Sequence, residues 1–381
     1  MSQPQPDRPP VAQARRVVLK VGTRVLTHDT GRVALARLFA VVEAAAALRH
    51  AGREALIVSS GAVGLGRDAL GLSETPVDLA ERQACAAVGQ TRLMGLYHEG
   101  FARLGLVCGQ VLLTQGDFDD RLRYLNLRTT LETLLRRGVV PVINENDAVA
   151  TDELALLEGE GRPVFGDNDK LSALVATKLG AELLVLLTDV EGVYDRDPRT
   201  DPGARLLARV DDADEVLALA GGPGSAASRG GMKSKVEAAA IAQRGGCHAI
   251  IASGRRQHAI DEAARGDATG TWFPAGEGLP ARQRWIAFAA APRGTLHLDA
   301  GAVEAVRGRG ASLLPRGVAR IEGEFRRGDV VLLRGPGGEL IGRGMAHVDA
   351  AAARRWLEGE RPEGLRSRHA LVHRDHLVLE D

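Results

Sequence analysis

Short apolar runs alternate with amphipathic segments over the first 270 residues of the chain. Continuous apolar runs predict buried strands, because a strand covered on both faces of a sheet is hydrophobic at nearly every position. They lie at 16–21, 55–58, 106–113, 139–143, 182–187 and 248–252. Segments of helical pattern separate them, at 33–51, 79–104, 120–137, 171–180, 232–244 and 256–265. This alternation predicts an α/β fold with an open, mainly parallel sheet and helices on both faces.

The pattern changes from about residue 275 onward. Short apolar stretches separated by Gly, Pro and Asp turns replace the strand–helix alternation, and this spacing is typical of a small β-barrel-like domain. The predicted organisation is a disordered tail at 1–13, an α/β catalytic domain at 14–275, a linker at 276–292, the β-barrel-like domain at 293–372 and a tail at 373–381.

Composition indicates a chain of two globular domains. The 381 residues are 45% hydrophobic, and 49 basic residues balance 49 acidic ones, which argues against disorder and against strong binding to nucleic acid. No apolar run is long enough to span a bilayer, and residues 1–15 lack the apolar core of a signal peptide. The three cysteines show no CxxC spacing. We therefore expect a cytoplasmic protein with reduced thiols, no structural zinc and no membrane association.

Two polar clusters lie where ligands bind in open α/β sheets. The apolar run 139–143 ends in Asn144-Glu145-Asn146-Asp147, and a second cluster, Gly166-Asp167-Asn168-Asp169-Lys170, opens a helical segment. Ligands of open α/β sheets lie at the carboxyl edge, where such a strand delivers its polar side chains. Each cluster alone is what turn and N-cap chemistry supplies. The two together predict a pocket for a small zwitterionic substrate.

Four glycine-containing turns follow predicted strands or open predicted helices. They are 20–23, 59–62, 166–170 and 229–235. Glycine lets backbone N–H groups approach an anion closely, and a helix N-terminus adds a favourable dipole. Four such turns in one α/β domain predict a bound polyphosphate. The chain has neither a GxxxxGK[ST] loop nor the protein-kinase signature, which excludes the common nucleotide-binding folds.

Lysine is rare in this chain. The five lysines are Lys20, Lys170, Lys178, Lys233 and Lys235, whereas all other basic residues are arginines. Arginine is a broad planar fork, but lysine is a compact charge that can approach a single phosphate oxygen. Four of the five fall in the Gly- or Asp-rich stretches, and Lys178 is expected at the surface. An edge lysine that blocks aggregation is the alternative explanation for Lys20.

Six sequence motifs together match the pattern of one protein family. They are VVLKVGT at 17–23, VSSGAVGLG at 58–66, VVPVINENDAV at 139–149, GDNDKLSALVA at 166–176, LLTDVEGVYDRDPR at 186–199 and GGMKSKVEAA at 230–239. The chain resembles the glutamate-phosphorylating members of the amino acid kinase family over residues 14–372, with a C-terminal region similar to a PUA domain. The resemblance implies the amino acid kinase fold and phosphorylation of the side-chain carboxylate of L-glutamate by ATP with Mg²⁺, the first step of proline biosynthesis.

The resemblance also implies roles for individual residues. Lys20 and Lys235 contact the phosphates and stabilise the transition state, and Asp169 orients the lysines or a metal-bound water. Ser60, Asp147 and Asn168 bind glutamate, and Asn144, Glu145 and Asp167 line the same pocket. The nucleotide site comprises Lys20, Thr188, Asp189, Arg229, Gly230, Gly231, Met232, Lys233, Ser234 and Lys235. No protein ligand is assigned to Mg²⁺, which is expected to bind mainly through ATP.

Two positions depart from the family pattern, and several partners are implied by it. Arg229 replaces a small hydroxyl residue and either adds a phosphate contact or faces solvent, of which solvent is slightly favoured, while Ser234 replaces Thr and keeps the hydroxyl. The family pattern implies feedback inhibition by L-proline, a homo-oligomer (dimer or tetramer) and a glutamyl-phosphate reductase that takes over the labile product.

Two alternatives remain open at this stage. One is a kinase for a different small acid, such as aspartate or acetylglutamate. The other is an RNA-binding protein on an inactive kinase fold. Residues 293–381 hold 15 Arg against 13 acidic residues, a balance too even for strong RNA binding, so the PUA-like domain is expected to be structural or regulatory.

Overall fold

The computed structural model describes residues 8–28, 32–76, 78–149, 168–198, 200–220, 231–256, 258–276, 283, 286–287, 292–360 and 370–380. It divides into two compact units. The first comprises Met1–Asp117 and Leu125–Gly278, and the second comprises Phe118–Tyr124 and Leu279–Asp381. Most of the predicted linker at 276–292 falls outside the described residues.

The first unit is built on a seven-stranded sheet. Its strands are β1 (Arg16–Val21), β2 (Glu54–Ser59), β3 (Cys108–Leu113), β4 (Val140–Glu145), β5 (Leu183–Thr188), β6 (His248–Ser253) and β7 (Thr271–Phe273). Their order is β3-β4-β2-β1-β5-β6-β7, with β1 to β6 parallel and β7 antiparallel at one edge. The predicted open, mainly parallel sheet and its six long strands are confirmed.

One short helix precedes the first sheet, and further helices connect its strands. They are α1 (Pro9–Ala12), α2 (Thr23–Leu26), α3 (Leu35–His50), α4 (Ala62–Ala69), α5 (Leu79–Arg103), α6 (Gln115–Asp119), α7 (Arg121–Arg136), α8 (Asn168–Leu179), α9 (Ala213–Ala220), α10 (Met232–Arg244) and α11 (Ala259–Arg265). The predicted long helices are confirmed. The short helices α2 and α4 were not predicted, because each begins within a glycine turn.

The alternation of side chains along β1 separates the hydrophobic core from the chemistry. Successive strand residues point to opposite faces of a sheet. Val17, Leu19 and Val21 pack into a core with residues of α3 and α5, so Lys20 points to the opposite face. There α8 and α10 contact the sheet and each other. Lys178 in α8 is 4% exposed, and the expectation that it lies at the surface is wrong.

The predicted N-terminal tail is wrong for the residues that are described. Residues 9–12 form α1, and the Arg8 guanidinium is buried, donating to the carbonyl oxygens of Ala208, Asp267, Thr269 and Gly270. Burial lowers the pKa of Arg8 to about 10, so the side chain stays charged at neutral pH. Four carbonyl acceptors compensate for the lost hydration of that charge.

Within its described residues, the second unit has a five-stranded sheet with α-helices at 300–309 and 350–357. The strands are β8 (Gly294–Leu298), β9 (Val318–Gly323), β10 (Val330–Arg334), β11 (Leu340–Ala346) and β12 (Val372–Leu379), in the order β12-β11-β10-β8-β9. Only β8 and β10 pair in parallel among these neighbours. The tail predicted at 373–381 is wrong, because β12 pairs with β11. The helices α12 (Ala300–Arg309) and α13 (Ala350–Leu357) were not predicted; Asp299 and Asp349 cap their N-termini.

Across the part of the chain that the structure describes, no helix combines the length and the apolar character needed to cross a membrane.

Candidate active site

The carboxyl ends of the central parallel strands bring the predicted site residues to one edge of the sheet. Val21 of β1 lies beside Ser59 of β2 and Leu187 of β5 in the strand register. Asn144 is the next-to-last residue of β4, which neighbours β2. The residues that follow or end these strands therefore meet although they are up to about 170 positions apart in sequence, as expected for a parallel sheet.

A buried ionic cluster joins β1, α8 and α10. The Asp169 carboxylate is fully buried in the first turn of α8, and one of its oxygens, Oδ1, pairs with Lys20 Nζ. The other oxygen, Oδ2, accepts from Lys235 Nζ at 2.9 Å and from Ser234 Oγ at 2.8 Å. Lys20 is 3% exposed and Lys235 is 8% exposed. We call Lys20, Asp169 and Lys235 the lysine–aspartate cluster.

The charges of this cluster sum to one positive charge. Burial by itself raises the pKa of Asp169, but the ammonium groups of Lys20 and Lys235 outweigh burial and hold that pKa below its ordinary value. Asp169 is thus ionised at neutral pH and accounts for only one of the two lysine charges. The Nζ of Lys235 also donates to the Gly231 carbonyl at 2.9 Å. The cluster is a fixed positive centre, which is the charge that stabilises a transferring phosphoryl group.

A neutral network lies next to the cluster, at the preceding residue of α8. Asn168 Nδ2 donates to Ser60 Oγ at 2.9 Å, to the Ser59 carbonyl at 3.3 Å and to Asn144 Oδ1 at 3.0 Å. Asn144 Nδ2 in turn donates to Gln90 Oε1 at 2.8 Å. We call Gln90, Asn144, Asn168 and Ser60 the amide chain. It joins α5, β4, α8 and the turn after β2 without a formal charge.

A cleft of about 860 Å³ opens beside the amide chain. Five predicted substrate-binding residues line it, namely Ser60, Asn144, Glu145, Asp147 and Asn168. Arginines from other elements line it as well: Arg24, Arg67, Arg82 and Arg255. The cleft therefore presents carboxylates and guanidinium groups together, a combination that suits a small zwitterion bearing carboxylates.

Apart from Lys20, the nucleotide-site residues that the structure describes lie in two places, the end of β5 and the start of α10. Thr188 and Asp189 end and follow β5, with Thr188 Oγ1 donating to Asp189 Oδ1 at 3.2 Å and Arg24 pairing with Asp189 Oδ2 at 3.4 Å. Gly231, Met232 and Ser234 lie at the start of α10, beside Lys235. Burial raises the pKa of Asp189, but hydrogen bonds from its own N–H and from Thr188, together with the Arg24 charge, leave the pKa lowered.

Lys233 is a predicted nucleotide-site residue whose side chain does not join the lysine–aspartate cluster. Its side chain is 62% exposed and lies 3.9 Å from Glu237, because two positions along a helix rotate a side chain to nearly the opposite face. The predicted positions Asp167, Arg229 and Gly230 lie outside the described residues.

The structure also places residues at the site that the sequence did not single out. Gln90 belongs to the amide chain, and Arg67 and Arg82 line the cleft from α4 and α5. Gln90 lies within a long amphipathic segment, in which a polar residue is expected on the solvent-exposed face of the helix. The GQ pair at 89–90 is the only local signal, since a glycine inside a helix marks a close approach of another backbone.

Comparisons with known proteins show the family to which the chain belongs. A model of the amino acid kinase family matches residues 15–253. The chain belongs to the amino acid kinase family. It is accordingly a kinase, with ATP as the co-substrate that the family implies. A model of the PUA domain matches residues 294–361, within the second unit.

Relatives of this amino acid kinase match it from end to end. A protein of Bradyrhizobium diazoefficiens is 46% identical over 380 residues, covering 97% of this chain and 99% of the relative. One of Chromohalobacter salexigens is 46% identical over 98% of both chains, and one of Myxococcus xanthus is 47% identical over 100% of both. Each of the three is named glutamate 5-kinase.

Proposed function

We propose that this kinase transfers the γ-phosphoryl group of ATP to the side-chain carboxylate of L-glutamate, giving ADP and L-glutamyl 5-phosphate. The observation that carries the proposal is the junction of two networks at consecutive residues. Asn168 holds the amide chain beside the cleft, and Asp169 holds Lys20 and Lys235. The relatives named glutamate 5-kinase, which match over nearly the whole chain, support the same substrate.

Phosphoryl transfer to a carboxylate requires positive charge at the site and does not require a general base. A glutamate side chain has a pKa of about 4.3, so the attacking carboxylate is already ionised at pH 7. One carboxylate oxygen forms the new bond to the γ-phosphorus while the bond between that phosphorus and the β–γ bridging oxygen breaks, and ADP leaves. The obstacle is the repulsion between the anionic acceptor and the nucleotide. Lys20 and Lys235 offset that repulsion, most strongly as charge redistributes in the transition state.

Asp169 holds both lysines in place. Its two carboxylate oxygens take separate lysines, so neither ammonium group has to reorganise during the transfer. Preorganised charges of this kind act in a site with little water, where they are worth more than in bulk solvent.

Mg²⁺ fits this site as a companion of ATP. In kinases the ion is bound chiefly through substrate phosphates, with few protein carboxylates, and it neutralises phosphate charge when bound. Among the described residues, no three His, Cys, Asp or Glu side chains are grouped as metal ligands. Asp169, the acidic residue of the cluster, is engaged by two lysines.

The cleft suits an amino acid with two carboxylates. The carboxylates of Glu145 and Asp147 can attract the α-ammonium group, and the guanidinium groups of Arg67 and Arg82 can attract a carboxylate. We expect the γ-carboxylate to face the lysine–aspartate cluster, because Asn168 at the cleft and Asp169 of the cluster are consecutive residues.

Further parts of the proposal concern the cellular role. The reaction is the first step of proline biosynthesis in the cytoplasm, L-proline inhibits by competing for the glutamate site, and the protein works as a homo-oligomer. A glutamyl-phosphate reductase consumes the product, because an acyl phosphate is labile in water. The PUA domain acts as a structural or regulatory module.

The test is acyl phosphate formation. Purified protein is incubated with Mg-ATP, hydroxylamine and one of L-glutamate, L-aspartate or N-acetyl-L-glutamate, and both ADP and hydroxamate are measured. Of the three acids, we expect only L-glutamate to give hydroxamate. L-Proline should suppress hydroxamate formation, and added L-glutamate should reverse that suppression. Hydroxamate only with another acid would contradict the substrate. An absence of ADP release and hydroxamate from folded, ATP-binding protein would contradict catalysis itself and direct attention to RNA binding.

A further inference from the structure

Gln90 is a buried polar residue that the proposed chemistry does not use. It lies in α5 and is 9% exposed. Its Oε1 accepts from Asn144 Nδ2 at 2.8 Å, while its Nε2 is buried without a hydrogen-bond partner in the described structure. Burying a carboxamide with one group unsatisfied is unfavourable. The residue therefore needs an explanation beyond packing.

The backbone carbonyl of Ser59 sets the direction of the amide chain at its other end. A carbonyl oxygen can only accept, so the atom 3.3 Å from it must be the Asn168 NH₂ group. That group also faces Asn144, which must then present its oxygen, at 3.0 Å. Asn144 consequently turns its own NH₂ group toward α5, where Gln90 supplies the acceptor.

This arrangement leaves one acceptor without a partner. Asn168 Oδ1 is buried and makes no hydrogen bond within the described residues, although Asn168 lines the cleft together with Glu145 and Asp147. If Asn144 were to rotate by 180°, its NH₂ group would meet the NH₂ group of Asn168. The Ser59 carbonyl thus sets the orientation of Asn168, and Asn144 must match it. Gln90 supplies the acceptor that lets Asn144 do so without leaving its own NH₂ group unpaired.

The fold places Gln90 firmly against this chain. Helix α4 begins at the turn after Ser60, and it packs against α5 at backbone contact distance. A Cβ atom added to Gly89 would lie 1.8 Å from the Ala62 carbonyl oxygen, and one added to Gly66 would lie 1.7 Å from the Cys85 carbonyl oxygen. Two helices this close form a rigid support, so the position of Gln90 relative to the Ser60 turn is fixed.

From these contacts we infer that Gln90 is a positioning residue for the acid substrate. It accepts the Asn144 NH₂ group, keeps the Asn144 oxygen on Asn168, and so keeps Asn168 Oδ1 available to accept from the ammonium group of the amino-acid substrate. The identity of that substrate rests on the proposed function. The lysine–aspartate cluster is held by its own ion pairs, so Gln90 acts on substrate binding rather than on phosphoryl transfer.

The test compares Gln90→Met with Gln90→Glu. Methionine keeps the volume and removes the acceptor, which leaves the buried Asn144 NH₂ group unpaired; we expect the KM for L-glutamate to rise about ten- to a hundredfold, with kcat within about threefold and the KM for ATP unchanged. Glutamate at position 90 keeps an acceptor oxygen, so its KM should return to within about threefold of the wild type.

Gln243→Met is the matched control. Gln243 is also a buried glutamine, in α10, with its carboxamide bonded to the backbone of Val210, Asp211, Ala213 and Pro274. Losing those bonds should lower the melting temperature without changing the KM for L-glutamate. A Gln90→Met protein that unfolds at a similar temperature to this control and yet keeps a wild-type KM would overturn the inference.

A double-mutant cycle with Asn144→Leu separates positioning from general damage. If Gln90 acts through Asn144, Gln90→Met should add no further rise in KM to the Asn144→Leu protein, whereas independent effects would multiply. If the Gln90→Met protein does not fold, the Gln90→Glu protein takes its place in the cycle. Because Gln90→Glu keeps the acceptor oxygen, a large rise in its KM for L-glutamate would contradict the inference.

Failure of the proposed function would be seen separately, as wild-type protein without glutamate-dependent turnover. A crystal structure of Gln90→Met then tests the positioning alone. Loss of the contact between Asn144 and Asn168 supports it, and an unchanged 3.0 Å contact overturns it.

Discussion

The two buried networks at the sheet edge differ in the kind of interaction that holds them. The lysine–aspartate cluster consists of full charges from β1, α8 and α10, and it carries a net positive charge. The amide chain consists of neutral groups from α5, β4, α8 and the turn after β2. They meet at Asn168 and Asp169, consecutive residues of one helix turn.

The difference shows how one sheet edge can separate binding from catalysis. A fixed charge acts over several ångströms and acts most strongly where charge develops, in the transition state. A neutral amide acts only at hydrogen-bond distance, so it can recognise a substrate without altering the field at the phosphorus. Changes to the cluster should therefore appear in kcat, and changes to the amide chain should appear in KM.

The most severe change to the cluster is Asp169→Asn. It leaves two buried lysines without their shared carboxylate, and breaking a buried ion pair lowers the free energy of unfolding by about 3–5 kcal/mol. We also expect kcat to fall about a hundredfold or more, because the lysines lose their anchor. Denaturant unfolding and steady-state kinetics check both effects.

An exposed ion pair provides the control for Asp169→Asn. Arg103 and Glu99 pair at 2.7 Å with side chains 75% and 53% exposed. The variant Glu99→Gln should change the free energy of unfolding by less than about 1 kcal/mol. A loss in Asp169→Asn no larger than in this control would contradict the buried role of the cluster.

Helix α5 offers a second way to disturb the amide chain, through its glycines. Gly89→Ala forces a Cβ atom to within 1.8 Å of the Ala62 carbonyl oxygen, so the helices must separate, at a cost of about 1–3 kcal/mol in the free energy of unfolding. Gly95 lies in the same helix with nothing within 4 Å of an added Cβ. Gly95→Ala should be neutral or stabilising by up to about 1 kcal/mol. Thermal unfolding compares the two, and equal effects would show that the close approach is unimportant.

Asp147→Ala tests the part of the site that binds the acid substrate. Removing a carboxylate that lines the cleft should raise the KM for L-glutamate about tenfold, since charge-assisted contacts are worth about 1.5–3 kcal/mol, while kcat changes much less. The inhibition constant for L-proline should rise by a similar factor if the two amino acids share the site. A response of only one of them would refute the shared site.

The pH dependence of the free energy of unfolding should also distinguish the charged network from the neutral one. We expect this effect to be smaller than those of the substitutions above. The pKa of Asp169 in the folded protein is below the ordinary carboxyl value of about 3.9. The unfolded chain thus takes up the proton first as pH falls, so the stabilisation from Asp169 is complete above about pH 4 and is lost as the pH drops through the folded-state pKa.

The measurement is the difference in unfolding free energy between wild type and Asp169→Asn. That difference should be constant from pH 7 to pH 5 and should shrink below about pH 4. The same comparison for Gln90→Met should show no such change, because no proton is exchanged at an amide. A pH-independent difference for Asp169→Asn would mean that the lysines do not lower its pKa.

Much of the site could be predicted because its residues follow strands. Lys20 lies in an apolar run, and Asn144 and Glu145 end one, so their positions at the sheet edge follow from the pattern alone. Gln90 could not be found in this way. Its role depends on the approach of α4 to α5 at Gly66 and Gly89, a tertiary contact that no periodicity encodes.

The ends of the chain show a similar limit. Arg8 and β12 belong to the folded units through contacts with residues far away in sequence, Arg8 with backbone beyond position 207 and β12 with β11. A short charged segment near a terminus reads as a tail until its partner is known. The short helices α2 and α4 could not be predicted either. A helix of four to eight residues makes too few turns to show a helical period in the sequence.

We expect a lysine held by Asp169 to drive phosphoryl transfer without binding the acid substrate. The most direct test is the rate of hydroxamate formation by Lys20→Met at saturating Mg-ATP over a range of L-glutamate concentrations. We predict that kcat falls about a hundredfold or more while the KM for L-glutamate stays within about threefold. A folded variant with near-normal kcat, or with its loss confined to the KM for L-glutamate, would contradict the account.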